Sequence, residues 1–111
     1  MNTKTVKIID PCRKVVATAQ VARRGDRFAG LIDLNLLPVS LRQQFEEYEE
    51  IVNGQMFSLL DEIEEQIGAF ALKVVFEDGS EAAVADLQVY PSTGRVSFKI
   101  VKEPAPSTTR P

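Results

Sequence analysis

"EEYEEIVNGQMFSLLDEIEEQI", residues 46–67, decides how the rest of the chain is arranged. Read as one helix, it is the centre of a segment spanning 39–67. Leu41, Phe45, Tyr48, Val52, Met56, Leu59, Ile63 and Ile67 step by four, three, four, four, three, four and four residues. At 100° per residue they form one apolar stripe, widened by Ile51 and Leu60. The stripe keeps its phase across Asn53-Gly54, which favours a continuous helix, or one merely kinked near Gly54. Pro38 before Val39, and Ser40 paired with Gln43, fit a helix start with a capping box.

A break at Asn53-Gly54 is the competing reading. Glycine costs a helix interior about 1 kcal/mol relative to alanine. Asp61, Glu62, Glu64 and Glu65 are unfavourable near the negative end of one long helix dipole, and favourable near the start of a second helix. In that reading Asn53 is the new N-cap, and Val52 and Phe57 staple it. Length points the same way. A 29-residue helix is about 43 Å long at 1.5 Å per residue. A six-stranded sheet is only about 24–29 Å wide at roughly 4.8 Å per strand.

On either side of this segment the apolar period changes from 3.6 to 2. Before it come three candidate strands, at 4–9, 14–22 and 27–34. They are separated by "DPCR" at 10–13, a type I turn signature, and by "RRGDR" at 23–27, where Gly25 is free to take positive φ. After it come "ALKVVF" at 71–76, "EAAVADLQVY" at 81–90 and "RVSFKIV" at 95–101. "EDGS" between the first two suits a type I′ hairpin. "PSTG" between the last two places Gly94 at a left-handed position. In 28–34, Phe28, Gly30, Ile32 and Leu34 face one way, and Ala29, Leu31 and Asp33 the other. In 95–100, Val96, Phe98 and Ile100 face in.

The order is therefore βββ-α-βββ. The expected fold is α+β: a curved antiparallel sheet of five to six strands with one long helix packed on one face. Residues 1–102 form the expected single domain. The Pro- and Ser/Thr-rich stretch 103–111 is expected to be a disordered tail. An overhanging helix also predicts a weak homodimer.

The 111 residues include 44% hydrophobic side chains, one cysteine and no histidine. The apolar content can build a core without disulfide or metal. Cys12, between Pro11 and the cations Arg13 and Lys14, reads as an incidental surface thiol, though neighbouring cations can make a thiol reactive. Without histidine the commonest general base, the Ser/His and Cys/His pairs and the usual zinc ligands are missing. A carboxylate enzyme needs two acids converging on a pocket with divergent pKa values, and no such pair stands out. No calcium loop, phosphate loop, cofactor motif or membrane-length apolar run is present. The chain reads as non-enzymatic, cofactor-free and cytoplasmic.

Charge is segregated. Residues 1–30 carry seven cations and two acids, net +5, whereas residues 31–68 carry Arg42 against nine acids, net −8. Arg42 can reach Glu46 at i+4, but the other acids of the segment have no intrahelical partner. A solvated, solubilising face is one account. The functional account is that Glu46, Glu50, Phe57, Asp61, Glu64 and Glu65 dock a basic protein partner, as an immunity-like protein or regulatory adaptor does. Phe57 is pivotal. On a continuous helix it falls among the acids, as an interface hot spot does. A kink at Gly54 instead turns it into the core.

The alternative function is a single-stranded nucleic-acid-binding module. Arg23, Arg24 and Arg27 flank one turn, and Phe28 offers a stacking ring. Against it stands a sequence pI near 5.0, because such domains are usually strongly basic.

Overall fold

A computed structural model of the protein describes residues 3–101. Its elements are β1 (Lys4–Ile9), β2 (Val15–Arg24), β3 (Arg27–Asp33), α1 (Val39–Asn53), a 3₁₀ turn (Phe57–Leu59), α2 (Leu60–Gly68), β4 (Lys73–Val75), β5 (Glu81–Tyr90) and β6 (Arg95–Val101). The six strands lie where period-2 alternation places them. Residues 103–111, expected to be a tail, lie outside the described residues.

The open sheet is corrected. The strands close into an antiparallel barrel in the order β1-β2-β3-β6-β5-β4. Each half of the chain is a three-stranded meander. One seam joins β3 to β6, from Arg27↔Lys99 to Leu31↔Arg95. The other joins β1 to β4 at Lys7↔Val75, Ile8↔Val74 and Ile9↔Lys73. Closure gives partners to backbone groups that an open sheet leaves exposed at its edges. It also lets all six apolar faces share one interior. Val6, Val21, Val74, Val89, Val96 and Phe98 are essentially inaccessible. Phe28 stacks on Phe98 at 5.6 Å between ring centroids.

The single long helix is corrected too. α1 has 15 residues and α2 has nine, about 22 and 14 Å at 1.5 Å per residue. Both pack on β5 and on each other. Leu41, Phe45, Tyr48, Ile51, Ile63 and Ile67 join the same hydrophobic cluster as the barrel interior. The break follows the loss of helical hydrogen bonding after Gly54, whose N–H still donates to Glu50 O at 2.9 Å. Gln55 N–H donates to Val52 O at 3.1 Å and Met56 N–H to Ile51 O at 3.0 Å. That paired pattern is a Schellman ending, with its left-handed residue at Gln55, φ +57. Gly54 itself keeps right-handed geometry, φ −85. Neither helix has a side-chain N-cap: Pro38 and Leu59 hold those places, so the expected Ser40 capping box and Asn53 cap are absent. Asp61 and Glu62 do fall in the first turn of α2, its favourable end. With the long helix goes the overhang that predicted a homodimer.

The turns follow their local chemistry, with one change. Asp10 Oδ1 accepts from the amides of Cys12 and Lys14, each at 2.9 Å. Arg13, left-handed at φ +66, turns its guanidinium onto Glu81. Gly79, at φ +89, donates to Phe76 O at 2.9 Å. The β4–β5 link is therefore a type I turn completed by a left-handed glycine, not the two-residue type I′ turn that Asp-Gly suggests.

β5 carries a bulge. Its register against β6 shifts between Ala85 and Gln88, and Asp86 has φ +51. The extra residue changes which side chains face inward. Ala82 and Val84 pack on the core before it, and Leu87 and Val89 after it.

Candidate functional site

The α1–α2 junction exposes a short run of large apolar side chains, as Leu31, Leu36 and Val39 do elsewhere on the surface. Met56 is 44% exposed, Phe57 58% and Leu59 45%, although all three are large hydrophobics within four positions. The Schellman ending carries the chain out of α1, and the 3₁₀ turn that follows has no buried residue. Phe57 is thus neither turned into the core nor set on the flank of a continuous helix. It stands on the link between two helices. Met56 and Leu59, which the periodic stripe places in the core, stand beside it in the chain as exposed residues. Their signal in the sequence was the Asn53-Gly54 pair, and the unbroken phase of the stripe hid it.

Acids flank this knob on both sides. On α1, Glu46 lies 3.9 Å from Arg42, the expected i+4 pair, and Glu50 is exposed. On α2, Asp61, Glu64 and Glu65 are exposed. Glu50 is the acid of α1, and Asp61 the acid of α2, nearest to Phe57 along the chain, whereas Glu46 and Glu65 lie farther out on their helices. Glu49, outside the expected set, is taken up by Ser92, whose amide donates to it at 3.1 Å.

Glu64 leans elsewhere. Its carboxyl is held above the ordinary range, first by partial burial, then by repulsion from Asp86 and from Asp61. It lines a groove with Asp86 at the β5 bulge.

The residues of the nucleic-acid alternative do not assemble into a stacking surface. Phe28 is 6% exposed inside the barrel. Arg23 covers its ring, Cζ 5.9 Å from the centroid, and donates from Nε to Gly25 O at 3.1 Å. Arg27 is fully engaged: Nε donates to Ser97 Oγ at 2.8 Å, Nη1 to Asp86 Oδ2 at 2.6 Å and Nη2 to Asp86 O at 3.0 Å. Arg23 and Arg24 are both exposed; of the three arginines only Arg24 makes no side-chain hydrogen bond or ion pair among the described residues, and it lines a surface groove with Arg95.

Among the described residues no cluster of three or more His, Cys, Asp or Glu could hold a metal ion. No helix there is long and apolar enough to cross a membrane. No protein-family description, curated protein or solved structure matches the chain.

Proposed function

We propose that this protein is a non-enzymatic binding protein that docks a basic protein partner through the junction of its two acidic helices. The observation that carries the reading is Phe57, a large aromatic with more than half its surface in solvent, flanked by exposed acids. Covering such a ring contributes about 1.5–3 kcal/mol. Met56 and Leu59 widen the apolar centre. Glu46, Glu50, Asp61 and Glu65 supply a charged rim that steers a cationic partner and speeds encounter. An apolar centre with a charged rim is how affinity and selectivity divide at protein interfaces.

The test begins with a photo-crosslinking amino acid placed at position 57 in the native host. The captured protein is then purified and titrated against wild type, Phe57→Ala and the double reversal Glu50→Lys, Asp61→Lys. The expected result is a partner of net positive charge. Phe57→Ala should weaken its binding by about 2 kcal/mol, some thirtyfold. The charge reversal should slow association and flatten its salt dependence. A purified candidate that binds all three proteins equally rejects the reading.

A further inference from the structure

A second surface, distinct from the Phe57 knob, lies where α2 ends against the β5 bulge. A groove of about 450 Å³ opens there, within the range that holds small-molecule ligands. Its walls are largely apolar: Ile67 and Leu72 are buried, and Val84 is half-buried. The volume exists because β5 presents Ala83 and Ala85 where larger residues would fill the space.

Two observations mark this groove out. The first is backbone strain. Of the four non-glycine residues with positive φ among the described residues, two line it: Ala71 at +53 and Asp86 at +51. Left-handed geometry in an alanine is costly and lacks the local side-chain compensation available to Asp or Asn. Such strain gathers at binding sites, where surrounding packing holds it. The second is unbalanced charge. Asp86 is neutralised by Arg27, but Glu64 has no ion-pair partner among the described residues. It lines the groove together with Asp86, and partial burial, then repulsion from Asp86 and Asp61, already disfavours its charged form. Lys73, the one cation on the lining, lies on β4 opposite Ala83. Ala83 is three residues along β5 from Asp86, roughly 10 Å at 3.3 Å per residue. Lys73 is also drawn toward Glu81, whose carboxyl feels its charge.

We infer that this groove binds a small amphiphilic amine, with its apolar body on the Ile67, Leu72 and Val84 wall and its ammonium group at Glu64. An ammonium there adds the missing countercharge beside two carboxylates. A hydroxyl of the same size offers only a neutral hydrogen bond, and a carboxylate is repelled.

The experiment is an amide-resolved NMR titration of the full chain with three probes of matched size: 2-phenylethylamine, 2-phenylethanol and phenylacetate. The amine should shift the amides of Leu72, Ala85 and Leu87. It should bind at least tenfold more tightly than the alcohol, and phenylacetate should bind more weakly than either. Glu64→Gln, a change at an exposed position, should bring the amine to the affinity of the alcohol. Ala85→Phe, which fills the groove, should abolish both. Equal binding of amine and alcohol to wild type overturns the inference. So does tighter binding of phenylacetate, an amine affinity unchanged in Glu64→Gln, or the absence of groove shifts at millimolar amine. None of these outcomes involves Phe57, so the groove and the docking face are judged separately.

Discussion

Arg27 on β3 grips Asp86 on β5 at two points, its carboxylate at 2.6 Å and its backbone carbonyl at 3.0 Å. The strand between them in the barrel, β6, adds Ser97 Oγ as a third acceptor. One guanidinium therefore fixes a left-handed residue two strands away, and with it the inward phase of Leu87 and Val89.

Removing that grip should loosen the bulge. Arg27→Ala is expected to destabilise by about 1–2 kcal/mol at neutral pH, a range kept low because the Asp86 carboxylate is partly solvated. Burial alone pushes the Asp86 carboxyl up, but hydrogen bonds from Arg27 and Gln88 and the arginine charge outweigh it, leaving it below the ordinary range. The stabilisation is therefore present above the unfolded value of about 3.9 and disappears as pH falls through the lower folded value. The gap between the denaturant midpoints of wild type and Arg27→Ala should narrow at strongly acidic pH, leaving the part due to the Ser97 and Asp86 carbonyl bonds. Asp86→Asn, which keeps a residue tolerant of positive φ, should lose the charged part of the grip alone.

The end of α1 offers a test of which residue turns the chain. Gln55 is the left-handed residue, so Gln55→Gly should stabilise by about 0.5–1 kcal/mol. Gln55→Val should destabilise, because a branched side chain fits that geometry worst. Gly54→Ala should not give the full gain of a helix-interior exchange. A Cβ there meets Met56 Cε at 3.1 Å and Glu50 O at 3.2 Å. Urea melts of the three variants give the ranking.

Phenylalanine truncations separate surface from core. Phe57→Ala should move the thermal midpoint little, a stability change under about 0.5 kcal/mol, because most of the ring is already wet. Phe98→Ala, at a fully buried site, should cost about 3–5 kcal/mol. Comparable losses in both would place Phe57 in the core and remove the docking centre.

Tyr48 should control the alkaline limb. Burial first, then repulsion from Tyr90 and the charges of Glu64 and Asp86, raise its pKa far above the ordinary value. A buried phenol whose folded value is raised stabilises fully below the unfolded value, about 10, and loses that contribution as pH rises past it. Ultraviolet titration should show its ionisation delayed until the protein unfolds. Tyr48→Phe should flatten the loss of stability at high pH.

The strands were legible because each shows one apolar side at period 2. Phe28, Ile32, Val96 and Phe98 face inward as their spacing requires. Closure of the barrel was not legible. It depends on three residues of β1 meeting three of β4, and short backbone pairing between distant segments leaves no mark in side-chain order. The helix break hid for a different reason. The link from Gly54 to Leu59 holds six residues, and the apolar spacing across it happens to fit a helix, so Met56 and Leu59 read as core. Glu50, Phe57 and Asp61 were found from the sequence as candidates. The groove at Glu64 was not, because it is built from alanines and a bulge, and small residues signal nothing until strands have been placed.

The two seams of the barrel also govern how it forms. Within each meander, strands adjacent in sequence pair across short turns, on the microsecond scale of hairpins. The seams instead join Lys7 to Val75 and Arg27 to Lys99, so ordering most of the chain must precede the contacts that reward it. Refolding should therefore run in milliseconds to seconds, as for other small proteins dominated by distant pairings. The three-residue β4 seam closes late, and mutations there should raise the unfolding rate while leaving the folding rate nearly unchanged.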